Sequence, residues 1–172
     1  MLILRHIFRK ASLKRNAFRR RPKMLPLEAL HSVILVVDAS DPALTQVLEL
    51  SRKFFSHYSV RLEVRIVSWG GEKSLRYLPK GEKVSFSRSD LGLFSLPKSS
   101  FIRSLVMADP QGALVNLCRL DSFTFRYLNR VTPAYFKIGV YRDYPFNLTI
   151  CGDDTLSCLE KILDIMKIVK DE

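Results

Sequence analysis

Histidine and cysteine build most protein metal sites and many nucleophiles, and this chain has three of each. They are His6, His31 and His57, and Cys118, Cys151 and Cys158. No histidine has a cysteine or carboxylate at ligand spacing, and the cysteines form no CxxC pair. A free cysteine within a strand or helix is usually a small core residue. We therefore predict no metal site and no cysteine nucleophile.

The sequence also lacks the glycine-rich turns that allow a backbone to approach phosphate. The turn after the first apolar run reads DASDPAL, without GxGxxG or GxxxxGK[ST], and no GxSxG occurs anywhere. These absences argue against dinucleotide binding, P-loop chemistry and a serine nucleophile. The sequence predicts no catalytic residue and no cofactor, although an enzyme remains among the alternatives.

Positive charge is concentrated at the start of the chain. The net charge is +11, and residues 1–25 hold nine of the 28 Lys and Arg residues but none of the 17 acids. Those nine are Arg5, Arg9, Lys10, Lys14, Arg15, Arg19, Arg20, Arg21 and Lys23. Such asymmetry favours an anionic partner for this segment, and the density of arginine suits RNA phosphates. We expect these nine residues to bind structured RNA, with the ribosome as the expected location.

The spacing predicts that the basic segment is a helix over residues 2–21, ended by Pro22. Leu4, Ile7, Ala11 and Phe18 form a narrow apolar edge, flanked by Ile3 and Phe8, that is suited to docking on the body or a partner. Three further interpretations stay open: an anionic membrane surface as the partner, a mitochondrial transit peptide, and a basic helix that only covers the fold. No apolar run is long enough to span a bilayer.

A second, weaker basic region lies in the body. Residues 52–103 hold eleven basic and four acidic side chains, several beside aromatic rings. The candidate residues of this basic-aromatic patch are Lys73, Arg76, Tyr77, Lys80, Lys83 and Arg88. Cations interleaved with rings suit a phosphate backbone with base stacking, and they equally suit a solvated loop beside core aromatics.

Strands and helices alternate through the rest of the chain. We predict strands at 32–38, 60–69, 84–86, 113–118, 135–141 and 147–151, and helices from Asp41, at 98–108, at 123–131 and from Asp153 to about Lys170. This order predicts an α/β fold: a single Rossmann-like three-layer sandwich with a mainly parallel sheet, preceded by the basic N-terminal helix. The expected division is an arm at 1–25 and an α/β domain at 26–172.

Ligands of such sheets bind beyond the carboxyl ends of the strands. Asp38, Asn116 and Lys137 are the candidate residues of a cleft there. This cleft carries the alternative function, that of a diverged enzyme or a nucleotide- or sugar-nucleotide-binding domain.

The segment YFKIGVY at 135–141 resembles a domain-of-unknown-function family of small α/β proteins from Bacteroidota with a basic N-terminal helix. The matching positions are Val33–Asp38, Leu114–Leu117, Ala134, Phe136 to Gly139, Leu148 and Ile150. The resemblance implies an α/β fold faintly similar to one half of a two-domain glycosyltransferase, and it implies no activity and no catalytic residues. It also makes a mitochondrial transit peptide less credible.

From sequence, the chain is expected to be a non-catalytic binding protein whose partner is RNA, with ribosomal or other proteins as further partners and a membrane surface as the less favoured one. The unpaired cysteines favour a reducing, cytoplasmic location.

Overall fold

A computed structural model describes residues 2–19, 21–70, 75–106, 111–120, 122–140 and 146–169. Its helices are α1 (Leu2–Asn16), α2 (Leu44–His57), α3 (Ser99–Val106), α4 (Phe123–Val131) and α5 (Thr155–Ile168). Its strands are β1 (Ser32–Asp38), β2 (Arg61–Ser68), β3 (Val84–Ser87), β4 (Gln111–Asn116), β5 (Ala134–Gly139) and β6 (Leu148–Thr149).

The six strands form one sheet in the order β3-β2-β1-β4-β5-β6, and every neighbouring pair is parallel. This is the strand order of Rossmann folds, in which the chain winds first to one side of β1 and then to the other. The prediction of a Rossmann-like α/β sandwich is confirmed. The sequence SVILVVD forms the central strand because its apolar side chains are buried on both faces.

One face of the sheet is a continuous apolar core. Val33, Leu35 and Val37 point to this face from β1, together with Val115 from β4. Helices α2 and α5 cover it with fully buried leucines, isoleucines and Phe55. Helix α5 begins where predicted, with the Asp154 carboxylate accepting a hydrogen bond from the Ser157 N–H at its N-cap.

Helix α2 begins later than the sequence predicted. Residues 41–43 form a turn in which the Asp41 carboxylate accepts a hydrogen bond from the Ala43 N–H, and the Leu44 N–H donates to the Asp41 carbonyl. Asp41 therefore stabilises the turn before the helix, and the first helical residue is Leu44.

The opposite face carries polar and charged side chains among apolar ones. The strand register places Glu63 and Arg65 of β2 on this face, beside Ile34 and Val36 of β1. Asn116 and Lys137 point the same way from β4 and β5. Helices α3 and α4 pack on this face, and α1 packs in turn against α4.

Helix α1 ends at Asn16, five residues before the predicted end. The chain leaves the helix because its backbone finds partners in the body: the Phe18 N–H donates to the Arg130 carbonyl at 2.9 Å, and the Lys23 N–H donates to the Tyr135 carbonyl at 3.2 Å. These two hydrogen bonds hold the segment after α1 along α4 and β5.

The side of α1 that faces the body is mostly polar, with Leu13 as an apolar residue that packs against Tyr127 and Val131. Ser12 and Asn16 each hydrogen-bond the hydroxyl of the fully buried Tyr127, at 2.8 and 2.9 Å. Arg5 donates to the Ser95 hydroxyl at 3.1 Å, and the Arg9 guanidinium lies 4.3 Å from the centre of the Phe123 ring.

Most of the predicted apolar edge of α1 does not dock on the body, although its last member, Phe18, lies beyond the helix and contacts Tyr135. Ile3 is 76% exposed, and Leu4, Ile7 and Phe8 are each more than half exposed. Of these four side chains, those of Ile3, Leu4 and Ile7 lie on the helix surface opposite Arg9 and Asn16, and that of Phe8 lies at the edge of this surface. We name all four the outer apolar face of α1.

Candidate functional site

The basic segment and the sheet enclose a cavity of about 510 Å³ that combines cations with aromatic rings. Its cationic lining residues are Lys10, Lys14, Arg19, Arg130 and Lys137, and its aromatic ones are Phe18 and Tyr135. No acidic residue is among the described residues that line it. We call this space the basic cavity.

Lys137 is the most buried cation of the basic cavity. It is 8% exposed, and its ammonium group donates hydrogen bonds to the carbonyls of Asn129 and Arg130 at the end of α4. Burial lowers the pKa of Lys137 to about 8, and the positive charge of Arg130 contributes in the same direction. Among the described residues no carboxylate forms an ion pair with Lys137. An anion in the cavity would therefore supply a counter-ion that the protein does not.

Backbone and amide contacts fix Lys137 in place. The Asn147 side-chain oxygen accepts a hydrogen bond from the Lys137 N–H at 2.7 Å, and the Asn147 N–H donates to the Lys137 carbonyl at 2.8 Å. At the end of the strand, the Phe146 ring packs directly on Gly139, and any side chain at this position would collide with the ring. The lysine thus projects from a strand whose backbone is held on both sides.

The two aromatic rings of the basic cavity come from the segment after α1 and from β5. Phe18 meets Tyr135 edge to face, with 6.4 Å between ring centres, and the Lys137 ammonium lies 5.8 Å from the centre of the Phe18 ring. Both rings are half-buried, so each keeps part of its surface open.

The nine predicted RNA-binding residues divide into three groups. Arg5 and Arg9 contact the body, and burial together with the charge of Arg5 lowers the pKa of Arg9. Lys10, Lys14 and Arg19 line the basic cavity, with Arg19 also donating to the Lys14 carbonyl. The others within the described ranges, Arg15, Arg21 and Lys23, are exposed. Arg20 lies outside the described residues.

The basic-aromatic patch predicted in the body is built partly from cation–ring pairs. The Arg76 guanidinium lies 4.6 Å from the centre of the Tyr77 ring, and Arg88 lies 5.5 Å from that of Trp69. Lys80 and Lys83 are exposed, and Lys73 lies outside the described residues.

The structure does not gather Asp38, Asn116 and Lys137 into one cleft. Lys137 lines the basic cavity, Asn116 lines a second cavity between the sheet and helices α3 and α4, and Asp38 lines a third at the carboxyl ends of β1 and β4. Asn116 and Lys137 lie on the same face of the sheet, and Asp38 lies at the end of β1, but the three residues line three different cavities.

The third cavity occupies the place where a Rossmann fold holds pyrophosphate, and its chemistry is wrong for that ligand. Its described acidic lining residues are Asp38, Asp41, Asp153 and Asp154. The Asp38 carboxylate accepts hydrogen bonds from both the N–H and the hydroxyl of Ser40, so the loop N–H is already used. Carboxylates here would repel phosphate, in agreement with the missing glycine motif.

Within the described ranges there is no metal-binding cluster, and the thiol of Cys118 is inaccessible. No group of three His, Cys, Asp or Glu residues there is arranged to hold a metal ion. Cys118 is fully buried, and burial, with the nearby charges of Asp38 and Asp41, raises the pKa of its thiol well above the ordinary value.

Sequence reasoning missed Arg130 and Tyr135 as members of the site. Each lies in or next to an element that was recognised, but only the fold brings them beside α1, because the crossover from α4 to β5 returns the chain under the basic segment. The available signal was the run RVTPAYFK at 130–137, where a cation, a ring and a second cation bracket the turn between α4 and β5.

No protein-family model, curated protein or solved structure matches the chain. Among the described residues, no helix is both long enough and apolar enough to cross a bilayer. Function is therefore inferred from the geometry of the cavities and surfaces.

Proposed function

We propose that this protein binds RNA through the basic cavity. The observation that carries the proposal is the lining of that cavity, which places five cations and two half-buried rings around about 510 Å³ with no acid among its described residues. A charged groove with aromatic platforms is how proteins hold single-stranded RNA: cations track the phosphates while bases stack on the rings. Structured RNA exposes such unpaired nucleotides in loops and bulges, and ribosomal RNA is rich in them.

The roles of the residues follow from their positions. Lys10, Lys14 and Arg19 contact phosphates at the open side of the cavity, since they come from α1 and the segment after it. Lys137 provides the charge at the cavity floor, and Phe18 and Tyr135 are the stacking surfaces.

A matched pair of double variants tests the proposal. Lys14→Glu with Arg19→Glu reverses two charges of the basic cavity, while Lys53→Glu with Arg61→Glu makes the same change in net charge at exposed positions that do not line it. Affinity for a fluorescent single-stranded RNA and for a hairpin with an unpaired loop is measured by anisotropy at several salt concentrations. The cavity variant should bind at least about tenfold more weakly, and its salt slope should shrink by roughly 0.7 for each phosphate that is no longer neutralised. Equal weakening in both variants, or no binding by the wild-type chain, would overturn the proposal.

The titration of Lys137 adds a pH test to the same assay. A bound phosphate favours the charged amine, whose pKa in the free protein is about 8. Affinity for RNA should therefore fall as pH rises above this value, and Lys137→Met should bind more weakly at neutral pH and lack this part of the pH dependence. A wild-type affinity that stays flat from pH 7 to 10 would remove Lys137 from the site.

The outer apolar face of α1 favours a second candidate function, attachment to an anionic membrane surface. An amphipathic helix binds such a surface by burying its apolar side at the lipid boundary while neighbouring cations meet the headgroups. Ile3, Leu4, Ile7 and Phe8 are exposed, and the exposed Lys10 follows them on the helix.

Vesicle sedimentation separates this candidate from RNA binding. Ile7→Gln with Phe8→Gln removes the apolar groups without adding charge, so it should abolish binding to phosphatidylglycerol vesicles and leave RNA affinity unchanged, because neither residue lines the basic cavity. Ile168→Gln, at a residue 72% exposed on α5, is the control for an exposed apolar residue elsewhere. Absence of wild-type binding to anionic vesicles would discard the membrane function without affecting the RNA proposal.

A further inference from the structure

A second cavity, of about 360 Å³, lies between the sheet and helices α3 and α4, and its chemistry differs from that of the basic cavity. We call it the sheet-face cavity. It shares no lining residue with the basic cavity among the residues that the structure describes. Its volume is that of a small-molecule site.

Aromatic rings form much of the wall of the sheet-face cavity. Phe86 of β3, Phe101 of α3 and Phe125 of α4 line it together with Leu114 and Leu128. The Phe86 and Phe101 ring centres are 4.8 Å apart. Such walls favour a flat, apolar ring system, which offers each phenyl group a face or an edge.

Two asparagines supply the polar part of the cavity, and their orientation is fixed by a chain of hydrogen bonds. The Cys118 N–H donates to the Asn116 side-chain oxygen at 2.9 Å, so the Asn116 amide nitrogen must be the donor to the Asn129 oxygen, at 2.7 Å. The Asn129 amide nitrogen is left without an acceptor among the described residues, although Asn129 is only 2% exposed. A buried donor in this state favours a ligand that brings an acceptor.

Three other polar lining residues are already engaged. The Thr132 hydroxyl donates to the Leu128 carbonyl at 2.8 Å. Arg65 and Glu63 pair at 2.7 Å, with the Arg65 side chain 17% exposed and that of Glu63 42% exposed. Because this pair balances its own charge beside apolar walls, the cavity disfavours a ligand with a net charge.

From these features we infer that the sheet-face cavity binds a neutral, planar heteroaromatic molecule of nucleobase size. A ring nitrogen or carbonyl of the ligand accepts from the Asn129 amide, and the phenyl rings contact its faces and edges. Arg65 pairs with Oε1 of Glu63, so the second carboxylate oxygen of Glu63 accepts from a ring or exocyclic N–H near the opening. The inference is independent of RNA binding, because it uses other residues and needs no phosphate.

The single tryptophan of the chain gives a direct readout of this site. Trp69 lies 6.3 Å from Phe86 and 5.3 Å from Phe125, measured between ring centres, so both of these cavity walls adjoin it. Adenine, cytosine, uracil and benzene are titrated into the full chain while Trp69 fluorescence and the melting temperature are followed. Free tryptophan in the same titrations corrects for absorption by the bases.

At least one free base should produce a saturable change in fluorescence and a higher melting temperature, with benzene bound at least about tenfold more weakly because it offers no acceptor. Leu128→Phe, which fills the cavity, should abolish the response, and Glu63→Gln should weaken it. Since the free bases carry no phosphate, charge reversal in the basic cavity should leave the response intact.

Failure of every base to change the wild-type signals would overturn the inference, and so would benzene binding as tightly as the bases. Should Leu128→Phe not fold, the wild-type comparison of bases with benzene and the Glu63→Gln variant still decide the question. A variant at Leu128 that folds and keeps full base binding would also contradict it.

Discussion

The two faces of the sheet differ in composition and packing, although the same strands form both. The face under α2 and α5 is predominantly apolar, with the buried Ser51 as an exception, and it is fully buried around Leu48 and Phe55. The face under α3 and α4 carries Glu63, Arg65 and Lys137 and borders two cavities. Charges on an inward-pointing face reduce stability unless they are paired, and Lys137 has no acidic partner among the described residues. One face therefore holds the fold together, and the other is where ligands are expected.

The largest expected effect comes from truncating a leucine on each face. Leu48→Ala leaves a cavity in a close-packed region and should lower the free energy of unfolding by about 3–5 kcal/mol. Leu128→Ala should cost only about 1–2 kcal/mol, because Leu128 is half-buried and already borders a cavity. Urea denaturation of both variants measures the difference. Equal destabilisation would mean that the two faces are packed alike.

The buried charge of Lys137 should make the free energy of unfolding depend on pH in the alkaline range. The unfolded chain keeps the lysine proton up to about pH 10.5, whereas the folded protein releases it at a pKa of about 8. Between these values the unfolded state binds more protons, so stability rises with pH. The wild-type chain should therefore gain about 3 kcal/mol relative to Lys137→Met between pH 8 and 10.5. Other titrating groups cancel in the difference, and a pH-independent difference would contradict the burial of a charged lysine.

A smaller effect is expected where α1 meets the body. Tyr127→Phe removes the hydroxyl that bonds both Ser12 and Asn16, and should lower the free energy of unfolding by about 1–2 kcal/mol. Amide hydrogen exchange in α1 should accelerate more than in α5. The control is Tyr58→Phe, at a half-buried tyrosine whose hydroxyl forms no hydrogen bond among the described residues, and its cost should be within about 0.5 kcal/mol. Unchanged exchange in α1 would mean that the Tyr127 hydroxyl does not hold the helix.

The smallest effect is expected on the outer apolar face. Ile7→Gln should change the free energy of unfolding by less than about 0.5 kcal/mol, because Ile7 is 55% exposed and lies outside the core. The same denaturation assay applies, with Ile162→Gln on the buried face of α5 as the contrasting case. Destabilisation above about 2 kcal/mol for Ile7→Gln would mean that the apolar edge docks after all, as its spacing in the sequence predicts.

Sequence patterns predicted the body of the fold well because its apolar periodicity is strong. The run at 32–38 and the stripe of α5 leave little choice of structure, since their side chains must be buried on specific sides. The orientation of α1 was not predictable in the same way. Its apolar residues are spaced as for docking, yet Tyr127 and Phe123 offer hydrogen bonds and ring contacts to the opposite side.

The candidate sites were only partly visible in the sequence. Lys10, Lys14, Arg19 and Lys137 were singled out, but for two separate sites, and the chain reversal after α4 joins them. The unpartnered amide of Asn129 had no sequence signal, because its state depends on the hydrogen bonds of two other residues.

The contact between α1 and the body also has a thermodynamic consequence. Helix α1 is held by hydroxyl, amide and guanidinium groups and by the half-buried Leu13, so its detachment exposes less apolar surface than unfolding of the face under α2 and α5. The heat-capacity change of the first process is therefore smaller than that of the second. The free energy of helix release should vary more nearly linearly with temperature, while global stability follows a strongly curved profile. At temperatures close to cold denaturation, the core would lose stability while the contact between α1 and the body keeps most of its free energy.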